Sequence, residues 1–368
     1  MLAEFSSSNL VRPTFADAAS SRIVILADDL TGACDAGAAF LRAGHTVRVW
    51  FDASVLFAVP ETAQAFTTNS REFPASRAAA TVSQAAAALG SDPARLFFKK
   101  VDSACRGPVG AEVLAANRAL STKAVNFAPA FPSAGRIVRN GILEIHDSAG
   151  QVKCLRLSNL FPLSARHRIG IITKPSEIEA ALASEKTILI CDTETQGDLE
   201  SLAHASQDFP GLLHAGSAGL ANALAGLRAF SRPLTLLPPA ERTLLIAGST
   251  HPVTMLQLQN LDRDRFATLR IMRLTLPFAL SKRIRSVFHV HKPQALILTG
   301  GETALLAVRA LQANSFILQG ELAAGIPWGV IQGGEAHGCV VITKSGGFGT
   351  PTAFNDILNV LQGSACPD

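Results

Sequence analysis

Ile23-Val24-Ile25-Leu26-Ala27-Asp28-Asp29-Leu30-Thr31-Gly32-Ala33 decides how this chain is read. Five apolar residues in succession describe a strand buried on both faces, and the run breaks at once into two carboxylates, a Thr-Gly pair and a helical pattern. In an open α/β sheet such a break falls at the carboxyl end of a strand, where these folds bind ligands. Adjacent Asp28 and Asp29 can hold substrate hydroxyls, accept a proton or bind a divalent cation. Either one also suits the helix N-cap, where Asp accepts free amide hydrogens.

The same unit recurs along the chain. Short apolar runs at 23–27, 46–51, 65–68, 96–99, 124–128, 169–173, 188–191 and 211–214 are each read as strands, with Gly/Ser/Asp turns and Ala/Leu-rich helical stretches between them. A proline-rich, aperiodic stretch, Ser231-Arg232-Pro233-Leu234-Thr235-Leu236-Leu237-Pro238-Pro239-Ala240, reads as a linker. A second series follows at 243–247, 267–274, 295–299 and 340–343. The expected architecture is therefore α/β: a tail at 1–20, a first α/β domain at 21–230, a linker at 231–241 and a second α/β domain at 242–368. The sheets should be mainly parallel, with a cleft between the domains.

Composition supports two buried cores. The 368 residues are 48% hydrophobic and 17% charged, which excludes a disordered chain. A net charge of +4 suits a small anionic ligand and is too weak to argue for nucleic acid. The six cysteines show no C-x-x-C pair or metal-ligand spacing, so reduced thiols in a cytoplasmic protein are expected. No apolar run is long enough to span a membrane, and the first twenty residues lack the apolar core of a secretory signal.

Three strands of the second domain end in small-residue turns that open helices: Gly248-Ser249-Thr250, Gly300-Gly301-Glu302-Thr303 and Lys344-Ser345-Gly346-Gly347-Phe348-Gly349. Helix starts carry unpaired N–H groups and partial positive charge, and glycine lets backbone approach an anion, so converging turns would cradle a polyphosphate. Lys344 would add a point charge, and Ser249 and Thr303 hydroxyls. Neither a G-x-x-x-x-G-K-[ST] loop nor a dinucleotide G-x-G-x-x-G is present, so a Walker ATPase and an ordinary NAD enzyme are not indicated.

The first domain adds a polar set at its own carboxyl edge. Lys99-Lys100-Val101-Asp102-Ser103-Ala104-Cys105-Arg106-Gly107 brings cations, a carboxylate and a hydroxyl, and the Arg106 fork could grip a substrate carboxylate or pair with Asp102. Asn69-Ser70-Arg71, Pro129-Ala130-Phe131-Pro132-Ser133-Ala134-Gly135-Arg136 and Gly216-Ser217-Ala218-Gly219 extend the rim, supplying Arg71 and Arg136. With no tyrosine in the chain, a tyrosine base is excluded. His289-Val290-His291 would share a face only if extended, and is read as incidental rather than metal-binding.

Taken in order, these segments resemble the four-carbon acid sugar kinase family. The resemblance runs from about residue 23 to 355 and rests on Ala27-Asp28-Asp29-Leu30-Thr31-Gly32-Ala33-Cys34-Asp35, Lys100-Val101-Asp102-Ser103 with Arg106-Gly107, Pro129-Ala130-Phe131-Pro132 with Gly135-Arg136, Gly216-Ser217-Ala218-Gly219-Leu220, and the three turns of the second domain. It implies ATP-dependent phosphorylation of the terminal hydroxyl of threonate, erythronate or 3-oxo-tetronate, with the acid on the first domain and ATP on the second. Two segments depart from the family's pattern: 142–168 lacks its usual run of Asp-Pro and Pro residues and has Leu143-Glu144-Ile145-His146-Asp147 instead, and the stretch between Leu274 and Ala295 is short.

On that basis Asp28 or Asp29 is expected to orient or deprotonate the acceptor hydroxyl. Arg71, Lys100, Asp102, Ser103, Arg106 and Arg136 are expected to bind the substrate. Ser249, Gly300, Gly301, Glu302, Thr303, Lys344, Gly346 and Gly347 are expected to hold ATP with Mg²⁺. Expected partners are the small sugar acid and, as an open option, a second copy of the chain, with no nucleic acid or membrane. The alternative is a non-catalytic protein that binds a nucleotide or sugar acid in the same cleft.

Overall fold

The computed structural model describes residues 22–363 except 54–58, 91, 93–94, 147–149, 232–234, 267–268 and 274–279. The expected tail at 1–20 and the centre of the expected linker lie outside the described residues.

In chain order the first half contributes β1 (Ile23–Ala27), α1 (Leu30–Arg42), β2 (Val47–Trp50), β3 (Ala63–Thr67), α2 (Ala75–Leu89), β4 (Leu96–Lys100), α3 (Val109–Ala119) and β5 (Ala124–Ala128). Then come β6 (Arg136–Arg139), β7 (Ile142–His146), β8 (Val152–Arg156), β9 (Ile169–Ile172), α4 (Ile178–Ala183), β10 (Ile188–Cys191), α5 (Gln196–Ala205), β11 (Leu212–Gly216) and α6 (Ala218–Gly226). The second half adds β12 (Thr243–Ala247), α7 (Pro252–Gln259), β13 (Leu269–Arg273), α8 (Leu280–His291), β14 (Ala295–Thr299), α9 (Gly301–Ala310), β15 (Ser315–Glu321), β16 (Pro327–Gln332), β17 (Val340–Lys344) and α10 (Ala353–Leu361).

The mainly parallel α/β architecture is as expected, but the two halves share one sheet. Its fourteen strands run β13-β12-β14-β17-β16-β15-β2-β3-β1-β4-β11-β5-β10-β9. The pairings of β17 with β16, β16 with β15 and β15 with β2 are antiparallel, and the rest are parallel. A separate antiparallel sheet of β6, β7 and β8 stands beside it.

Each half has a switch point, a strand whose chain connections diverge to either side. In the first half it is β1, flanked by β3 and β4; in the second it is β12, flanked by β13 and β14. The antiparallel centre reverses strand direction between the halves, which alone would put their carboxyl edges at opposite ends. Six steps separate β1 from β14, and a right-handed twist of roughly 20–25° per step turns the second half most of the way back. Both carboxyl edges thus open on one side.

Helix α1 covers this seam. Its apolar face packs on β3 and β2 and reaches β15 and α9 of the second half. The approach is close: a side chain at Gly37 would meet Leu318 Cδ1 at 2.9 Å and Val47 Cγ1 at 3.1 Å. The seam is also tied by an ion pair from Arg42 to Glu321, and within the first half Arg42 donates to Asn222 Oδ1 at 2.7 Å. One core cluster therefore runs through both halves, joining Phe40 and Val47 to Phe316 and Leu318.

His289 and His291 lie on helix α8, not on a strand, so residues two apart point to different sides. His289 pairs with Glu335 at 2.8 Å, and His291 Nε2 lies 3.0 Å from the Thr243 carbonyl. Among the described residues no three His, Cys, Asp or Glu side chains gather as a metal site, and no two cysteines are joined. No described helix is long and apolar enough to cross a membrane.

Candidate active site

The two carboxyl edges enclose a cleft of about 1390 Å³, large enough for a nucleotide beside a small second molecule. The first half lines it with Asp29, Asp35, Lys100, Asp102, Ser103, Arg106 and Arg136; the second with Ser249, Gly300, Gly301, Glu302, Thr303, Gly346 and Gly347. Phe131 and Phe348 meet across it with ring centroids 6.3 Å apart. Of the sequence-derived candidates, Asp28, Arg71 and Lys344 need separate comment.

Asp29 is the N-cap of α1. Its Oδ1 accepts the Gly32 N–H at 2.7 Å, and its Oδ2 accepts Thr31 Oγ1 at 2.9 Å and Arg71 Nη1 at 2.6 Å. Arg71 turns the rest of its guanidinium on Asp28, with Nε 2.7 Å from Oδ2 and Nη2 3.0 Å from Oδ1. Asp28 is buried behind this fork and does not line the cleft. Burial alone would raise its carboxyl, but Arg71, Lys99 and Lys100 outweigh burial and hold it below the ordinary value. Arg71, an expected substrate ligand, lines the cleft and bridges two carboxylates of its own chain.

Arg106 shows a similar economy. Its Nε and Nη2 donate to Asp102 Oδ1 and Oδ2 at 3.0 and 2.5 Å, and Asp102 also accepts the Ala104 and Arg106 N–H groups. Against the upward push of burial, Arg106 and Arg71 hold the Asp102 carboxyl far below the usual range. Arg106 is thus paired with Asp102 while its side chain remains exposed to the cleft.

Of the four cations expected to bind the substrate, Lys100 and Arg136 pair with no carboxylate among the described residues. Lys100, buried at the end of β4, donates only to the Val101 carbonyl at 2.9 Å. Arg136 donates from Nη1 to the Ala134 carbonyl at 2.8 Å, while its Nε is buried with no partner. A buried N–H left unpaired is costly. Burial lowers the Arg136 guanidinium, with Asp102 only partly offsetting that. Neighbouring Lys99, whose side chain faces the other side of the strand, is neutralised by Glu112 at 2.8 Å.

In the second half the three turns meet around Ser249: side chains built at Gly300 and Gly346 would lie 3.4 and 3.3 Å from Ser249 Cβ. Gly300 has φ +94 as it turns the chain from β14 into α9, a conformation few other residues adopt. Lys344 does not line the cleft. Its ammonium is fully buried behind the last turn, donating to the carbonyls of Ser345 at 3.0 Å, Phe348 at 3.2 Å and Gly346 at 3.4 Å. Thr254 Oγ1 binds the Gly346 carbonyl at 2.7 Å, and Gln257 Nε2 binds those of Phe348 and Thr350 at 3.0 and 2.8 Å. With its carbonyls held from behind, the turn is set to offer amide hydrogens forward to an anion. Burial lowers Lys344 to about 8.

His251 and Asp35 are among the cleft residues that escaped the sequence candidates. His251 caps α7 by accepting the Val253 N–H on Nδ1 at 3.2 Å, which leaves Nε2 as the donor beside Gly347. The signal was present in Pro252, a favoured first helical residue directly after the Gly248-Ser249-Thr250 turn. Asp35 lies one turn into α1, and only the helical period would have put it on the face of Thr31 and Gly32. His146 and Lys153 of β7 and β8 also reach the rim.

Comparison with known proteins agrees with this division. The sugar-binding N-terminal domain family matches residues 23–224, and the nucleotide-binding C-terminal domain family matches residues 275–354. The D-threonate kinase of Salmonella typhimurium is 28% identical over 431 aligned positions, covering 94% of this chain and all of that protein. The 3-oxo-tetronate kinase of Pseudomonas savastanoi pv. phaseolicola is 26% identical, covering 92% of this chain and 97% of that protein. An alignment of 431 positions is longer than this chain, so the Salmonella protein carries segments absent here. A solved Haemophilus influenzae structure superposes with a TM-score of 0.64 at 20% identity, covering 92% of this chain and 99% of that one, and shares its fold. With a sugar-binding N-terminal domain over more than half its length and a nucleotide-binding C-terminal domain behind it, the chain belongs to the four-carbon acid sugar kinase family.

Proposed function

We propose that this protein transfers the γ-phosphoryl group of ATP to the terminal hydroxyl of a four-carbon sugar acid such as threonate, erythronate or 3-oxo-tetronate. The observation that carries it is the unspent charge of one cleft: Arg136, with its orphaned Nε, and Lys100 on the sugar side, opposite three glycine turns on the nucleotide side. Arg136 and Lys100 hold the substrate carboxylate. The turns at Ser249, Gly300-Gly301 and Gly346-Gly347, with the start of α9, hold the ATP phosphates. Asp28, Asp29, Asp102, Arg71 and Arg106 form the ion-paired wall that keeps the pocket in shape.

Mg²⁺ would neutralise charge on the phosphates. Such an ion keeps most of its water and takes one or two carboxylates beside the nucleotide. Glu302, exposed in the cleft at the start of α9 without a protein partner among the described residues, fits that demand. Phosphoryl transfer asks mainly for alignment and charge stabilisation, which a rigid two-sided cleft supplies.

The test is ADP release from Mg²⁺-ATP in the presence of each of the three acids. Turnover that requires one of them supports the kinase; tight binding of ATP and acid with no ADP release supports a binding protein and ends this assignment.

A further inference from the structure

Resting on the kinase reading, we propose that Asp35 is the catalytic base that takes the proton from the acceptor hydroxyl. The carboxylates nearest to hand by sequence are unsuited to the task. Asp29 spends both oxygens on Gly32, Thr31 and Arg71, Asp28 is buried behind Arg71, and Asp102 is clasped by Arg106. Asp35 lines the same cleft, yet forms no hydrogen bond or ion pair with any described residue. Its lone pairs are free for a ligand.

Its place in the fold suits the role. Asp35 is one turn beyond Thr31 and Gly32 on the cleft face of α1. The residue before it, Cys34, contacts Thr343 on β17 of the nucleotide half, so this turn of the helix sits at the seam between the halves. The charged groups around Asp35 are Lys100 from β4, Arg136 from β6, Arg42 from its own helix, and Asp29. An acid held by Lys100 and Arg136 therefore extends its chain past Asp35. Burial raises the Asp35 carboxyl above its ordinary value, with Lys100 and Arg42 offsetting part of the effect, which makes it a better proton acceptor than its paired neighbours.

In the step, the hydroxyl proton passes to the Asp35 carboxylate as the hydroxyl oxygen bonds to the γ-phosphorus. The bond from that phosphorus to the β–γ bridging oxygen breaks, its electron pair leaves with ADP, and Asp35 returns the proton to solvent.

The test uses the full-length protein and the acid that it turns over fastest. In Asp35→Asn, which keeps the side-chain shape, kcat should fall by about 10²–10⁴. The KM values for ATP and acid and calorimetric ATP binding should stay within about threefold. The acidic limb of the wild-type log kcat against pH profile should disappear, and Asp35→Glu should recover part of the rate. The proposal is overturned if Asp35→Asn retains kcat within about fivefold, keeps the acidic limb, regains its rate at high Mg²⁺ as a metal-ligand variant would, or loses ATP binding. Misfolding of Asp35→Asn alongside a wild-type profile lacking an acidic limb would also overturn it. If the wild type turns over none of the acids, the kinase reading itself fails; a wild type that works beside an equally active variant removes only the role of Asp35.

Discussion

Asp29 of the first half stands directly against Gly301 of the second: a methyl group at Gly301 would lie 2.9 Å from Asp29 Cγ and 3.1 Å from its Cβ. The contact cannot yield on the Asp29 side, where three hydrogen bonds pin the carboxylate. Gly301→Ala should therefore push α9 away from α1 and widen the gap that the phosphoryl group crosses. We expect kcat/KM for ATP to fall by about 10²-fold, since misplacement of about 1 Å is costly in catalysis. Steady-state kinetics beside a melting curve that stays within a few degrees of wild type checks this; unchanged kinetics would mean that the contact is plastic.

Arg136→Ala should raise KM for the sugar acid by about 30-fold or more, the scale for losing a partly buried partner of a charged ligand. KM for ATP should change little, because the nucleotide turns belong to the other half. The ratio of the two KM values is the readout, and a change confined to ATP would refute the assignment of Arg136.

Asp28→Ala should cost about 3–5 kcal/mol of stability, because it strands part of the buried Arg71 fork. The sign of its pH dependence follows from the lowered carboxyl of Asp28. Its contribution is present above the ordinary carboxylate pKa and is lost as pH falls through the folded value. Denaturant titrations should show the wild-type advantage shrinking in acid.

Lys344 has the opposite signature. Its pKa of about 8 is below the lysine value of 10.5, so the folded state gives up the proton first. Between pH 8 and 10.5 the unfolded chain binds more protons, and stability rises with pH. Wild type should gain up to about 3 kcal/mol on Lys344→Met across that window, with a constant difference below pH 8. The same substitution should raise KM for ATP and leave KM for the acid alone, because the loop carbonyls lose their common donor. Paired denaturation and kinetic series would show it, and a flat stability difference through pH 10.5 would count against a Lys344 whose pKa burial has lowered.

Much of the frame was legible in the chain alone. Buried runs such as 23–27 and 295–299 announce parallel strands because both their faces must be apolar, and the turns at Asp28-Asp29 and Gly300-Gly301 mark their carboxyl ends because a helix start needs those residue types. Local chemistry is enough for that. Strands β15 and β16 were not legible, since Gly320, Pro327 and Gly329 weaken any strand pattern, and it is the pairing of β15 with β2 that makes the strands a ladder. Nor could sequence say which charges are spent. Arg71, Arg106 and Arg136 look alike in a list of residues. Whether a guanidinium meets its own chain's carboxylate or is left for a ligand depends on distances between segments far apart in the chain, and only the folded sheet, with its reversal and its twist, decides those distances.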